Sequence, residues 1–268
     1  MPDFRRLIRD FGGIVLILAL LFAVTLLPPD TSLRDVEAGA ALKACVPPLY
    51  PPLVTGDPER PGVDIELLQA LAGRLGLGLT LSQNPAMGRD FNPRNWGLNR
   101  AQCQVIAGGV VDSAQTRSFL STGPAYAQTG WAIIAPAPLA SLAGHEVGAL
   151  TLVSGLDRIG LSGFLRAEGA STRVVTSAEA LVAGIAEGTF DAGVTEAMLA
   201  GKLAADNGWS VDWASPTLAR YHLVFGLWKG DLTLKRAVDA AFADMAADGT
   251  IAAILERYGV VPIGAEPR

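Results

Sequence analysis

Residues 103–126 run Cys-Gln-Val-Ile-Ala-Gly-Gly-Val-Val-Asp-Ser-Ala-Gln-Thr-Arg-Ser-Phe-Leu-Ser-Thr-Gly-Pro-Ala-Tyr. The succession predicts a buried strand, a glycine turn, a helix start and a return to strand. Val105 to Ala107 is short, apolar and partly β-branched, and Gly108-Gly109 ends it. Asp112 and Ser113 are N-cap residues, whose side-chain oxygens accept the unpaired amides of a first helical turn. Arg117 follows within about one turn of that N-terminus. A guanidinium beside free backbone N–H groups makes a site for a small anion. Taken alone, the same arginine also fits a solvated loop.

Outward from this stretch, the chain is long enough for a large core or two lobes, with 268 residues, half of them apolar. The net charge of −5 gives no support for binding nucleic acid or an anionic membrane surface. Arg5, Arg6 and Arg9 precede an apolar run from Gly12 to Leu27, a positive segment followed by a hydrophobic one that directs the following chain outward. The run lies in length between a signal peptide and a short membrane span. Ala38-Gly39-Ala40 has the residue sizes of a cleavage site but stands far downstream. A cleaved signal and an uncleaved N-terminal anchor therefore both remain open. In an exported chain the two cysteines, Cys45 and Cys103, become a candidate disulfide; in a cytosolic one they are unrelated thiols.

Pro28 to about Ala41 has the composition of a linker, and Lys43 to Val46 reads as a first strand. Pro47-Pro48-Leu49-Tyr50-Pro51-Pro52 cannot continue a central strand and predicts a rigid loop that presents Tyr50. Asp64 caps a helix whose apolar residues Ile65, Leu68, Leu71, Ala72 and Leu75 face the core. The glycines at 76 and 78 lack the spacing of a phosphate loop or a dinucleotide site. Ser154 follows a hydrophobic run, where it serves as an N-cap or contacts a ligand carboxylate. Glu196 ends the apolar run Ala192 to Thr195, an unusual place for a carboxylate in a core. Tyr126 to Ile134 and Tyr221 to Trp228 read as strands. Asp248-Gly249-Thr250 separates two C-terminal helices. With two histidines in the chain, no metal cluster is expected, and neither is a cofactor.

Ile106-Ala107-Gly108-Gly109, Ser113, Arg117 and Ser121-Thr122-Gly123-Pro124-Ala125-Tyr126 resemble the ligand segment of the family 3 extracellular solute-binding proteins. Tyr50-Pro51-Pro52, Gly62-Val63-Asp64-Ile65-Glu66-Leu67, the stretch from Gly188 to Glu196 and Trp228-Lys229-Gly230-Asp231 follow in the order that family shows. The spacing departs around Arg117, and Leu53 stands where that family has Phe. The resemblance implies an α/β, two-lobe periplasmic binding protein fold of type II, each lobe a mostly parallel sheet flanked by helices. The expected divisions are a signal or anchor over 1–30, a linker over 31–41, lobe 1 over 42–135 and 221–268, and lobe 2 over 136–220. The hinges fall at Ala135 to Pro138 and Thr217 to Arg220. In such a fold the strands that carry Cys45 and Cys103 are neighbours, which suits a disulfide.

The resemblance also implies the chemistry. Arg117 pairs a ligand carboxylate, helped by Ser113 and Ser154. Glu196 accepts the ammonium, and Tyr50 covers an apolar part. A zwitterion needs opposed charges at its two ends, so the implied ligand is an amino acid or similar small molecule. The protein is then a non-enzymatic periplasmic monomer that serves an ABC permease, soluble after cleavage or tethered by residues 12–27. Arg94-Asn95, Leu98-Asn99 and Cys103 also resemble a subgroup associated with quinoprotein dehydrogenases, which implies an accessory binding protein instead. A cyclohexadienyl dehydratase on the same fold is the third reading. It requires a general acid over the cleft, and Glu196 is the candidate.

Overall fold

The computed structural model describes residues 4–25, 29–87, 92–151 and 156–260. The chain divides between Thr31 and Ser32 into two units. The first contains helix α1 (Phe4–Thr25). Its apolar residues from Ile14 to Leu18 and from Leu20 to Phe22 are all more than half exposed. Among the described residues, no helix is long and apolar enough to cross a membrane.

The second unit opens with helix α2 (Ser32–Ala38), which corrects the expectation of a linker over 31–41. Val36 is buried. The Ser32 hydroxyl lies 3.0 Å from that of Thr233, to which the Leu33 amide also donates at 3.2 Å. A single buried apolar residue leaves no periodic signal, so the anchoring partner 200 residues away decides the matter.

Lobe 1 then builds β1 (Ala41–Val46), α3 (Val63–Arg74), β2 (Gly78–Gln83), a 3₁₀ turn (Pro93–Trp96), β3 (Val105–Ile106), α4 (Ala114–Phe119) and β4 (Leu120–Thr122). A crossing strand β5 (Ala127–Thr129) leads to lobe 2. That lobe holds β6 (Trp131–Ala135), β7 (Glu146–Ala149), α5 (Arg158–Ala167), β8 (Ser171–Val174), α6 (Ala178–Ala186), β9 (Ala192–Glu196), α7 (Ala197–Asn207) and β10 (Ser210–Trp213). The chain returns through β11 (Tyr221–Leu223) and finishes lobe 1 with β12 (Gly226–Trp228), α8 (Leu232–Ala247) and α9 (Thr250–Arg257).

The strand order is β2-β1-β3-β12-β4 in the first sheet and β10-β6-β9-β7-β8 in the second, while β5 and β11 form a two-stranded pair, with β11 also bridged to Val111 through Leu223. In the first sheet β2, β1 and β3 are parallel, and β12 runs antiparallel between β3 and β4. In the second, β8, β7 and β9 are parallel, β6 runs antiparallel between β9 and β10, and β10 again follows the direction of β9. Each sheet is thus mixed in the same way: one strand, β12 in the first and β6 in the second, runs against the others.

β6 pairs with β9 and β10, so Ala135 lies inside lobe 2 and the first crossing falls at 127–130 rather than at Ala135 to Pro138. The expected continuous strand from Tyr126 breaks at Gly130, where an added Cβ would come within 3.0 Å of the Trp213 ring. The strand expected over 221–228 likewise divides, because β11 pairs with β5 and β12 with lobe 1.

Both sheets are covered on two faces, as layered α/β packing requires. Leu42, Ala44 and Val46 of β1 enter one core with Leu67, Leu71, Phe225 and Phe242. Cys45 alternates to the other face, among Trp96, Leu120 and Trp228. There it is bonded to Cys103, with the two Cα atoms 5.6 Å apart.

Candidate functional site

The turn after β3 is held from the side by a buried carboxylate. Asp64 lies in the first turn of α3 and is fully buried. Its Oδ2 accepts the amides of Gly108 at 2.6 Å and Gly109 at 3.2 Å, and its Oδ1 accepts the Tyr126 hydroxyl at 2.6 Å. Burial pushes the Asp64 carboxyl up to about 6, against the opposing pull of Tyr126, Gly108 and Gly109. Both glycines have positive φ, 90° and 88°. A Cβ on Gly108 would lie 2.1 Å from the Pro47 ring, and one on Gly109 would lie 2.4 Å from the Tyr50 ring. The Tyr50 aromatic therefore packs on the bare backbone of this turn, where any side chain would displace it.

Ser113 caps α4, its Oγ accepting the Thr116 amide at 3.1 Å. Arg117 is on that helix with its side chain 55% exposed, and its Nη1 is 2.8 Å from Asp112 Oδ1. The approach is an ion pair without hydrogen-bond alignment, since that Asp112 oxygen has no hydrogen-bond partner. Asp112 and Ser113 were both expected as N-caps, and Ser113 takes that position. In the structure Asp112 supplies the counter-charge of Arg117.

On lobe 2, Glu196 ends β9 and caps α7. Its Oε1 accepts the Met198 amide at 3.0 Å and its Oε2 the Leu199 amide at 3.1 Å. The Thr129 hydroxyl also donates to Oε1. Glu196 is 2% exposed, and burial raises its pKa while Thr129, Met198 and Leu199 oppose the shift.

Four ionisable groups consequently share one field. Burial raises the Tyr50 pKa most, and the charges of Glu196 and Asp64 add to it. Tyr126 is raised by burial first, then by Asp64, with Tyr50 and Glu196 contributing. The structure thus gathers Tyr50 and Glu196 with Asp64 and Tyr126. Arg117 and Ser113 sit on the neighbouring α4, engaged with Asp112 and Thr116. Ser154 lies outside the described residues.

Asp64 and Tyr126 are the residues that sequence reasoning passed over. Asp64 reads as an ordinary helix-start acid, and Tyr126 as a strand residue. Their pairing spans 62 positions, which no local spacing signals. A cavity of about 270 Å³ lies nearby, bounded by Tyr126, Gln128, Met198, Trp213, His222 and Leu255. Tyr50, Ser113, Arg117 and Glu196 do not line it.

No curated protein matches the chain. Among solved structures it is similar to an ancestral cationic amino acid solute-binding protein, at 20% identity and TM-score 0.72 over 85% of this chain and 99% of that one. A mutant of the arginine-binding protein from T. maritima aligns at 18% identity and TM-score 0.58, over 85% of this chain and 98% of the other. An amino acid ABC transporter substrate-binding protein from Streptococcus pneumoniae, bound to L-arginine, aligns at 19% and 0.60, over 84% and 97%. At these identities the likeness shows the shared two-lobe fold. The profile of the bacterial extracellular solute-binding proteins, family 3, matches residues 42–261, and the chain belongs to that family.

Proposed function

We propose that this protein is a periplasmic receptor that closes its two lobes on an amino acid and delivers it to an ABC importer. Glu196 carries the reading. It is a lobe 2 carboxylate whose charge acts on Tyr50 and Tyr126 of lobe 1. Burial, with the amide and hydroxyl bonds against it, sets the state of that carboxylate. An arriving ammonium would add a charge-assisted bond to this buried acid, and a bond of this kind contributes about 1.5–3 kcal/mol. Arg117 takes the ligand carboxylate by exchanging its contact with Asp112 for the ligand. Tyr50 covers the apolar part, and Ser113 and Ser154 complete the anion end. Contact from both lobes then favours the closed form by the difference in ligand affinity between the two forms. The receptor works as a monomer and binds without turnover. It acts outside the inner membrane, free after signal cleavage or held by residues 12–27.

A thermal-shift screen of the full chain in mild detergent tests this, with L-amino acids, dicarboxylates, polyamines and prephenate as the panel. A ligand at about 100 times its dissociation constant stabilises by ~2.7 kcal/mol. The expected result is stabilisation by an amino acid, lost in Arg117→Ala and in Glu196→Ala. Turnover of prephenate would replace this reading with a dehydratase in which Glu196 is the general acid.

The accessory-protein reading draws support from a cluster of cations around the end of α4. Arg94 stands 5.9 Å over the Phe119 ring, Lys229 Nζ donates to the Ser118 carbonyl at 3.1 Å, and Arg100 pairs with Asp231 at 3.2 Å. This exposed face suits an acidic protein surface. A silent screen together with co-purification of a dehydrogenase would favour it.

A further inference from the structure

The strand that first crosses between the lobes is held at both ends by buried carboxylates. β5 spans Ala127–Thr129 and pairs only with the returning strand β11. Immediately before it, the Tyr126 hydroxyl donates to Asp64 at 2.6 Å. At its last residue, the Thr129 hydroxyl donates to Glu196. Asp64 belongs to α3 in lobe 1, and Glu196 to the β9–α7 junction in lobe 2. All four side chains are buried.

Each carboxylate also organises the element that faces the other lobe. Asp64 holds the amides of the Gly108-Gly109 turn, on which Tyr50 lies. Glu196 holds the first two free amides of α7. Each hydroxyl thus fixes one end of β5 to the lobe that end adjoins, and the backbone between them carries any rotation of the lobes. Charge-assisted bonds in buried surroundings are strong and directional.

We propose that Tyr126 and Thr129 are hinge-positioning residues, which set the resting angle between the lobes through Asp64 and Glu196. The proposal concerns the ligand-free protein. One consequence rests on the reading of Glu196 as the ammonium site: ligand and hinge then share a carboxylate, and occupancy reaches Thr129 directly, with no relay of intermediate side chains.

Pulsed electron paramagnetic resonance on the full chain in detergent, without ligand, measures the angle. Spin labels at Leu81→Cys in lobe 1 and Val174→Cys in lobe 2 use exposed positions, while both native cysteines remain bonded to each other. Tyr126→Phe and Thr129→Val each remove one hydroxyl. Each is expected to shift or broaden the distance distribution beyond the parent's own width, and Thr129→Ser, which retains the hydroxyl, restores it. A general loss of stability would not be rescued in this selective way. Should Thr129→Val fail to fold, Tyr126→Phe decides. A folded Tyr126→Phe protein whose distribution superimposes on the parent's overturns the proposal. Because no ligand is present, failure of the amino-acid screen leaves this result standing.

Discussion

The two lobes use the same device and commit it differently. Each places a carboxylate at the start of a helix, buries it, and gives it two backbone amides and one hydroxyl from the crossing strand's flanks. In lobe 1 the amides come from a turn 44 and 45 residues away, so Asp64 ties together distant parts of the chain. In lobe 2 they belong to residues two and three positions on, so Glu196 caps its own helix, and its distant tie is the Thr129 hydroxyl. Lobe 1 also holds the disulfide, and both cysteines of the chain are spent on it. The contrast separates a carboxylate whose amides come from a distant turn from one whose amides are local, although each accepts three donors. Asp64 fixes the turn after β3, and Glu196 is, under the proposed function, the site of the ligand's ammonium.

The largest effect should come from the covalent tie behind the lobe 1 turn. Cys45 and Cys103 are 58 positions apart, and in the chain-entropy model such a link contributes about 4 kcal/mol. Cys45→Ser with Cys103→Ser should lower the unfolding midpoint in urea by that order. If the lobes are as unlike as described, protease cleavage in the double variant should begin in lobe 1. Early cleavage in lobe 2 would break the comparison.

Asp64→Ala comes next. It leaves the Gly108 and Gly109 amides and the Tyr126 hydroxyl without their acceptor in a largely buried site, and a loss of about 3 kcal/mol is expected by denaturant unfolding. Titration sharpens the point. The folded-state pKa of Asp64, about 6, stands above the ordinary value of 3.8. The folded state therefore holds the proton more tightly than the unfolded chain. Its contribution is fully present below pH 3.8 and is lost as pH rises towards 6. The parent should lose up to ~3 kcal/mol relative to Asp64→Asn across that window. Parallel pH profiles of the two proteins would show that Asp64 does not titrate there.

How much of this was open to sequence reasoning follows from the range of each contact. β1 and the helix α3 are visible as apolar patterns, because their neighbours in sequence share their burial. The cap Ser113 is visible because its partner lies three residues on. Helix α2 is not, because Ser32 and Leu33 find their partner at Thr233. The break at Gly130 is not, because Trp213 imposes it from another strand. Among the candidate site residues, Glu196 stood out as a carboxylate ending an apolar strand. Asp64 did not, since a buried tie to residues 108, 109 and 126 and an exposed helix start are written with the same letter.

Glu196→Gln probes the other side of the comparison. Glutamine retains one carbonyl oxygen, but its amide nitrogen sets a donor against one of the α7 amides, so a stability loss of about 1–3 kcal/mol is expected. Affinity for an amino acid should fall ten- to a hundredfold by calorimetry, since about 1.4–2.8 kcal/mol of charge-assisted bonding is removed. A stability loss with affinity intact would make Glu196 the architectural twin of Asp64.

The smallest effect is the most pointed. Arg117 and Asp112 form a half-exposed pair, with side chains 55% and 25% accessible, and such pairs contribute about 0–1 kcal/mol to folding. Asp112→Asn should therefore leave the unfolding midpoint almost unchanged. It does release Arg117 from a competing carboxylate. If Arg117 receives the ligand's carboxylate, the substitution removes a rival anion and should raise amino-acid affinity by a few-fold, with the gain largest at low salt, where half-exposed charges are least screened. If instead Asp112 orients Arg117, affinity should drop. The sign of this small change thus assigns Asp112 to one of two roles, rival or guide, which the 2.8 Å contact by itself leaves equal.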